Sequence, residues 1–453
     1  MHNEPFALLQ QAVARHQAGD RRAAIPLYDA ALAQQPDNGW ALFFRGVAAE
    51  EEGAFADAEG FYGRAATSGF AEPELLIAQG GLALKQGNWD EAIARFETAL
   101  RVAPEVAALW NNLGLALKRQ GRLPEACVAW EEALRLRRGC PQDPSAILDR
   151  DERLALRRAN GPKLAHDLAQ LRWLRGQRLL GPEADAWIGA LAALAVRLPE
   201  DEMRLHQLSD GDLGAAAGCF NRLVLLADGR AVTGSPLSDA ATEALAEADR
   251  QGERPAVIDD LLAPEALRKL RRFLRGSTIW FEAKDHGGHV GAYLEEGLAQ
   301  PLLLQVAGAL QAALPRRLGD LRLAQVWGYS YAATGSGTEI HADVGAVSAN
   351  LWLTETDACL SGGGLQLYDA QVPPDWPFAE VNGPAGRLRA WLRDTAPPSR
   401  IIPYRGNRLV LFDGRAPHRT EPFRFREGFD RRRLNLTFLF DAPGDGVAAS
   451  QWR

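Results

Sequence analysis

The most constraining feature of this chain is a repeat of 34 residues that runs through its first third. Four columns recur at that spacing, namely a glycine, an alanine, an aromatic residue and a second alanine. Their members are Gly19, Gly53, Gly87 and Gly121; Ala24, Ala58, Ala92 and Ala126; Tyr28, Tyr62, Phe96 and Trp130; and Ala31, Ala65, Ala99 and Ala133. A unit this short cannot bury a hydrophobic face alone, so the spacing predicts stacked helical hairpins. We expect the aromatic residue to fill the groove between helices and the glycine to lie in or near the turn.

The last repeat carries a further motif, the run Trp110-Asn-Asn-Leu113-Gly114. Together with the four columns, this run makes residues 1–138 similar to the tetratricopeptide repeat family, with four repeats. The resemblance implies an all-α solenoid whose concave groove holds an extended peptide or a partner helix. An ordinary helical bundle with coincidental alanines is the alternative interpretation.

The 34-residue spacing is lost in the next segment, residues 139–254. Leucines at positions 164, 168, 171 and 174 are spaced for one apolar helix face, and His166 lies off that face. This segment is predicted to be a helical connector between the solenoid and a third domain.

A different pattern begins near residue 255 and continues to residue 453. Ala256–Asp259 reads as a short strand, and an amphipathic helix begins at Pro264. Strand-like runs follow at 278–282, 321–332, 347–354, 364–368, 401–404, 409–412 and 434–440. Short strands separated by turn-rich segments favour a jelly-roll, or double-stranded β-helix. The whole chain is therefore predicted to be an α+β multidomain protein.

Three dispersed elements of this last segment carry metal-binding and anion-binding chemistry. They are His341-Ala-Asp343, His418 after an apolar strand, and Arg433 at the start of another strand. Two imidazoles and one carboxylate can occupy one face of an iron(II) octahedron and leave other positions open. Because a buried cation on a strand is costly unless paired, an inward Arg433 predicts a bound anion. A structural His/Asp pair with a surface His418 is the alternative.

On these residues, the segment from about 255 to 441 resembles the iron(II)- and 2-oxoglutarate-dependent dioxygenases, on the prolyl-hydroxylase side of that superfamily. Tyr331 lies ten positions before His341, where the family often has a tyrosine that contacts 2-oxoglutarate. The family strand Arg-x-Ser/Asn-aliphatic-Thr is matched by Arg433-Leu-Asn435-Leu-Thr437. Its Gly-Gly-x-Leu strand is matched by residues 362–365.

The resemblance implies a cofactor site and a reaction. His341, Asp343 and His418 would bind iron(II). Arg433, Tyr331 and Asn435 would form the 2-oxoglutarate site, with ascorbate as a candidate reductant and hydroxylation as the reaction. The interval of 15 residues between His418 and Arg433 is longer than is usual in prolyl hydroxylases, so Arg432 remains an alternative clamp.

Two further segments near these residues have open interpretations. The run Asp285-His286-Gly-Gly-His289 is read as a Gly-rich loop, with a second metal site as the alternative. The insertion at 369–398 is read as a lid or as a surface excursion.

Repeats joined to an oxygenase suggest that the substrate is a side chain of a protein or peptide recruited by the groove. Two alternatives stay open: a small metabolite or carrier-bound group as substrate, and a non-catalytic tetratricopeptide scaffold. The net charge of −7 argues against nucleic acid as the main partner. We expect a cytoplasmic protein that does not enter a membrane, since the chain has neither a signal-peptide pattern nor a long apolar run. Four scattered cysteines without a CxxC pair predict reduced thiols.

Overall fold

The computed structural model describes residues 4–139, 154–285, 287–343, 345–373, 376–382 and 386–442. The chain divides into two compact units, Met1–Ala133 and Leu134–Arg453. The predicted connector and the predicted third domain thus fall within one unit. Of the cysteines, Cys127, Cys219 and Cys359 are free, and Cys140 lies outside the described residues.

Helical hairpins cover the repeats. The helices are α1 (Glu4–Gln17), α2 (Arg21–Gln34), α3 (Gly39–Glu51), α4 (Phe55–Thr67), α5 (Pro73–Lys85), α6 (Trp89–Val102), α7 (Ala107–Gln120) and α8 (Leu123–Arg138). The glycines of the repeat column end α1, α3, α5 and α7 with φ between 76° and 87°. A side chain would strain the backbone there, so the sequence requires glycine at these turns.

The aromatic column is buried against a second column of small residues, sixteen positions earlier. The small residues are Ala12, Gly46, Gly80 and Gly114, and the aromatic residues are Tyr28, Tyr62, Phe96 and Trp130. A Cβ atom added at any of the three glycines would overlap the aromatic ring that packs on it. The expected filling of the groove by the aromatic side chains is therefore observed.

In the second unit, helices lie before and between the strands along the sequence. The helices are α9 (Gly161–Gly176), α10 (Glu183–Arg197), α11 (Asp210–Leu213), α12 (Asp239–Gln251), α13 (Pro264–Gly276), α14 (Pro301–Ala313), α15 (Pro315–Leu318), α16 (Phe378–Asn382) and α17 (Arg387–Thr395), with 3-10 turns at Gly214–Gly218, Leu294–Glu296, Thr356–Ala358 and Phe429–Arg431. None of the helices in the described ranges is both long enough and apolar enough to cross a lipid bilayer.

The strands of the second unit pair antiparallel. They are β1 (Arg158–Ala159), β2 (His206–Gln207), β3 (Ala256–Ile258), β4 (Glu282–Ala283), β5 (His289–Tyr293), β6 (Arg322–Tyr331), β7 (Thr334–Gly335), β8 (Val347–Trp352), β9 (Cys359–Gly362), β10 (Leu365–Tyr368), β11 (Ser399–Ile402), β12 (Arg408–Asp413), β13 (His418–Thr420), β14 (Phe423–Phe425) and β15 (Leu434–Asp441). The largest sheet has the order β3-β12-β8-β15-β6-β5-β4, and two three-stranded sheets have the orders β11-β10-β13 and β7-β14-β9.

Two apolar clusters hold the large sheet against the smaller ones. Trp352 and Phe412 of the large sheet pack with Leu367 of β10. Tyr331 of β6 packs with Phe423 of β14. Antiparallel sheets facing one another agree with the predicted layers, and the jelly-roll topology itself stays a prediction.

One predicted strand needs correction, and one side chain is more buried than its spacing indicates. The strand predicted at 278–282 begins only at Glu282, because Thr278 and Trp280 are engaged elsewhere. The Thr278 hydroxyl accepts from the backbone N–H of Val224 at 2.8 Å, and the Trp280 indole donates to the Leu274 carbonyl at 3.1 Å. His166, whose spacing places it off the leucine face of its helix, is fully buried. Its helix is covered on a second side, where the His166 ring packs near Trp280 and Phe429.

Candidate metal centre

The backbone around the three predicted ligands is tied together by hydrogen bonds. His341 and His418 form an isolated antiparallel bridge, in which each backbone N–H donates to the other residue's carbonyl, at 3.0 and 2.8 Å. The N–H of Asp343 donates to the Gly414 carbonyl at 2.8 Å. The loop after β7 is therefore held against the start of β13, which brings together residues more than seventy positions apart in the sequence.

The donor atoms of the three side chains converge. They lie within 4.8 Å of one another. Asp343 Oδ1 is 3.7 Å from His418 Nε2 and 4.0 Å from His341 Nε2. Both distances are below about 4.2 Å, the largest separation that two ligands with bonds of about 2.1 Å can span across one ion. One metal ion can therefore contact the carboxylate together with either imidazole.

Each of the two imidazoles forms a hydrogen bond at Nδ1, which leaves Nε2 as the ring nitrogen available to a metal. His341 Nδ1 lies 2.8 Å from the Glu339 carbonyl, and His418 Nδ1 lies 2.9 Å from the Ala416 carbonyl. Because a carbonyl oxygen only accepts, each Nδ1 carries a proton, so Nε2 is the nitrogen that bears the lone pair in the neutral ring. Such outer partners orient metal ligands in many proteins. The chemistry of the donor set thus fits a divalent metal.

Burial favours the neutral form of the His418 imidazole. Burial lowers the pKa of His418 to about 4, although the neighbouring Asp343 opposes the shift. At neutral pH the ring is uncharged, as metal binding requires. The Asp343 side chain is buried as well, whereas that of His341 is partly exposed.

Arg433 is a buried cation, as predicted, with 1% of its surface exposed. Its guanidinium donates to the Gly363 carbonyl through Nε at 3.3 Å and Nη2 at 3.2 Å, and to Asn435 Oδ1 through Nη1 at 3.2 Å. These acceptors are neutral. No carboxylate of the described residues lies within ion-pair distance of it. A buried charge without a counter-charge is strongly unfavourable, so the position fits a bound anion.

Tyr331 lies beside this cation. The Arg433 guanidinium lies 4.8 Å from the centre of the Tyr331 ring, and the Tyr331 N–H donates to the Arg433 carbonyl at 3.0 Å. Burial raises the pKa of Tyr331, and the Arg433 cation and the Thr420 hydroxyl oppose the shift. Thr420 shares a face of β13 with the ligand His418, about 7 Å further along the strand. The surroundings of Arg433 and the candidate ligand His418 are therefore connected through β13.

Arg432, the alternative clamp, lies elsewhere. It lines a cavity with Glu200, Glu427 and Phe429. Tyr331 is absent from the lining of that cavity. The structure thus places Arg433, and not Arg432, with Tyr331 and Asn435.

Polar residues on β8 lie on the face of the large sheet that carries Asn435 and Thr437, which we call the interior face. They were not predicted from the sequence. The Ser348 hydroxyl donates to Asp343 Oδ2 at 2.6 Å, which leaves Oδ1 facing the imidazoles. Asn350 and Trp352 follow on the same face, opposite Thr437 and Asn435 of β15. Asn350 Oδ1 and Trp352 Nε1 are buried and have no hydrogen-bond partner within the described part of the chain. The alternation of Ser348 and Asn350 with apolar residues was the available signal.

The two segments with open interpretations also contact this region. His289 is buried in β5, where its ring centre lies 4.7 Å from that of Tyr329 and 4.8 Å from that of Tyr331. His286, which would join it in the alternative metal-site interpretation, lies outside the described residues. In the insertion at 369–398, the Asn382 amide donates to the Ala342 carbonyl at 2.8 Å and accepts from the Ala342 N–H at 3.1 Å. The insertion therefore packs on the residue between His341 and Asp343.

Comparison with known proteins supports the repeats. The sequence profile of the tetratricopeptide repeat family matches residues 9–71 and 77–144. The chain is 38% identical over 66 residues to the peroxisomal targeting signal receptor of Saccharomyces cerevisiae, which covers 15% of this chain and 11% of the receptor. It is 34% identical over 128 residues to protein FlbA of Caulobacter vibrioides, covering 28% and 21% of the two chains. The prediction of tetratricopeptide repeats in the N-terminal region is confirmed.

Matches to solved structures also cover less than a third of this chain. A PilF structure from Pseudomonas aeruginosa is 25% identical, with 30% of this chain and 62% of that chain covered and a TM-score of 0.29. A MamA double mutant is 17% identical, with 30% and 75% covered and a TM-score of 0.28. The matches to the curated relatives span 8% to 26% of those proteins' own length.

Proposed function

We propose that this chain is an iron(II)- and 2-oxoglutarate-dependent dioxygenase that hydroxylates a side chain of a protein or peptide bound by its repeats. The observation that carries the proposal is the pairing of two sites. Two imidazole nitrogens and one carboxylate oxygen converge at His341, His418 and Asp343. Arg433 is a buried guanidinium without a counter-ion among the described residues, and β13 connects its surroundings to His418.

Each residue has a role in this proposal. His341, His418 and Asp343 hold the metal, and Ser348 directs the second oxygen of Asp343 away from it. Arg433 and Tyr331 bind the distal carboxylate of 2-oxoglutarate by charge and hydrogen bonding. Asn435 orients the guanidinium through its own hydrogen bond. When bound, iron(II) and 2-oxoglutarate supply oxygen activation coupled to oxidative decarboxylation to succinate and carbon dioxide.

The sheets of the second unit are interpreted here as the double-stranded β-helix of that superfamily. Two features support this interpretation. The sheets are antiparallel, and His418 lies on a strand that pairs with the loop carrying His341 and Asp343. The carboxylate at Asp343 favours hydroxylation, because it leaves no ligand position for a halide.

The substrate class rests on the repeats. Tetratricopeptide solenoids present a concave surface suited to extended polypeptides. A polypeptide substrate explains why one chain carries both the repeats and the oxygenase. A small metabolite leaves the repeats without a role in recognition.

The experiment is an assay of 2-oxoglutarate turnover. Purified protein is incubated with iron(II), ascorbate, oxygen and 2-oxoglutarate, and succinate is measured by NMR. We expect iron-dependent succinate formation that is lost in Asp343→Ala and Arg433→Met. The exposed neighbour Arg431, changed to Met, is the matched control and should retain it. A folded wild-type protein that forms no succinate would contradict the proposal.

Substrate class is tested separately with peptide arrays and cell-derived peptide mixtures. We expect an oxygen-dependent mass gain of about 16 Da on peptides that bind the repeats, and none with Asp343→Ala. Turnover of 2-oxoglutarate stimulated by small metabolites but by no peptide would favour the alternative substrate class.

A further inference from the structure

The cavity lined by Arg432 lies within the unit Leu134–Arg453, and its lining includes none of the residues assigned above to the metal or to 2-oxoglutarate. Its volume is about 530 Å³. Gly287, Gly288 and Gly335 form part of the wall, and they have no side chain that would fill the space. Met203 and Phe429 supply apolar surface. Ligand pockets commonly have volumes of about 300 to 1,000 Å³, so this one is large enough for an organic molecule.

Arg432 is the cation of this cavity, and its surroundings differ from those of the two arginines beside it. Arg431 forms ion pairs with Asp357 at 3.6 Å and Asp430 at 3.8 Å. Arg433 donates to Gly363 and Asn435, as described above. The Arg432 guanidinium has no hydrogen-bond acceptor and no ion-pair partner among the residues that the structure describes. Its planar N–H groups are thus available for a carboxylate.

Carboxylates surround the same cavity without touching Arg432. Glu200, Asp201 and Glu427 line it and are exposed to solvent. Burial lowers the pKa of Arg432, and Glu200 and Glu427 oppose the shift through their charges. Three acidic side chains and one arginine give the lining a formal charge of −2. An anion alone would be repelled by these acids, and a cation alone would leave the guanidinium unpaired.

We propose that this cavity binds a zwitterion of about dipeptide size. Its carboxylate is held by Arg432, its ammonium group lies near Glu200 and Glu427, and its apolar side chains pack on Met203 and Phe429. None of these residues is assigned above to the metal or to 2-oxoglutarate, so the proposal goes beyond the proposed function and does not depend on it.

The test compares three matched probes by isothermal titration calorimetry on the full chain. They are the dipeptide Leu-Leu, its N-acetyl form without the ammonium charge, and its C-terminal amide without the carboxylate charge. We expect Leu-Leu to bind and each blocked form to bind at least tenfold more weakly. In Arg432→Gln, the difference between Leu-Leu and the amide should disappear. Arg431→Gln is the matched control and should behave as wild type.

A second variant keeps the test informative if Arg432→Gln does not fold. Glu427→Gln, at an exposed position, should weaken Leu-Leu and leave the N-acetyl form unchanged. The proposal is overturned if Leu-Leu shows no heat of binding at millimolar concentration, if the three probes bind equally, or if the N-acetyl form binds most tightly.

Discussion

The repeats and the facing sheets bury their large side chains in opposite ways. In the repeats, Tyr62 and Trp130 fill notches above glycines, and their polar atoms have partners. The Tyr62 hydroxyl donates to Glu50 at 2.7 Å, and the Trp130 indole donates to the Asn111 carbonyl at 3.2 Å. Between the sheets, Asn350 and Trp352 keep buried polar atoms without a partner in the described residues. Arg433 also lacks a counter-ion there.

This difference separates packing for stability from packing for binding. A buried polar group without a partner costs about 1–3 kcal/mol, and a buried charge without a counter-charge costs more. A fold retains such groups where a ligand supplies the missing partner. The aromatic column of the repeats has no comparable feature, and the sheet interior has several near the candidate metal ligands.

The largest predicted effect concerns the packing of the repeats. Phe96→Ala removes a fully buried ring above Gly80, and we expect a loss of about 3–5 kcal/mol in the free energy of unfolding of the repeats. Hydrogen exchange followed by mass spectrometry measures this loss in peptides from residues 4–133. Phe6→Ala, at a position 57% exposed, is the control and should change protection little. Equal effects of the two variants would contradict the packing account.

The second prediction concerns acid stability of the unit with the sheets. Burial lowers the pKa of His166 to about 4 from 6.5, although Asp167 opposes the shift. The unfolded chain therefore binds a proton that the folded protein excludes. Stability is complete above about pH 6.5 and falls by about 3 kcal/mol as the pH drops to about 4. His166→Asn keeps a donor to Asp167 and should remove most of that loss.

Urea unfolding at pH 7 and pH 5 measures the effect. The midpoint should fall more for wild type than for His166→Asn. An identical decrease in both proteins would show that His166 is not the group responsible.

The third prediction concerns the support of Asp343. Ser348→Ala removes the hydrogen bond to Oδ2, and loss of such outer partners weakens metal affinity by about 10- to 100-fold in other sites. We expect that decrease for iron(II) or manganese(II) in a calorimetric titration. Ser361→Ala, at an exposed position of β9, is the control. Unchanged affinity in Ser348→Ala would mean that the hydroxyl does not orient the carboxylate.

The smallest predicted effect concerns Asn350, which is 8% exposed. Replacing a buried unpartnered amide by an apolar group of similar size is nearly neutral or stabilising. We expect Asn350→Leu to stabilise the metal-free protein by about 1 kcal/mol, because the unpartnered oxygen is removed from the interior. Thermal melting measures this change. A loss above about 2 kcal/mol would show that the amide is already satisfied without a ligand.

The repeats were readable from the sequence because their interactions are local and periodic. A glycine such as Gly87 and an aromatic such as Phe96 recur at one spacing, so their roles follow from the columns. The strand at Arg433 was readable as well, since Asn435 and Thr437 alternate with apolar residues. Both patterns depend on near neighbours in the chain.

The rest of the site depends on contacts between distant segments. The burial of His166 follows from residues of two other segments packing on its helix, and no period reports that. The role of Ser348 required knowing that β8 runs past Asp343. Positions 431, 432 and 433 are all arginine, so residue type alone does not distinguish them. Their different surroundings depend on where the strand begins.

The most direct test of the account is an anaerobic titration of the metal-free protein with iron(II) and 2-oxoglutarate. The visible charge-transfer band of the iron–2-oxoglutarate chelate is followed in wild type, Asp343→Ala and Arg433→Met. We predict a band in wild type, its loss in Asp343→Ala, and at least tenfold weaker 2-oxoglutarate binding in Arg433→Met. A folded wild-type protein without the band would contradict the assignment of the interior face to iron and 2-oxoglutarate, and would favour the scaffold interpretation.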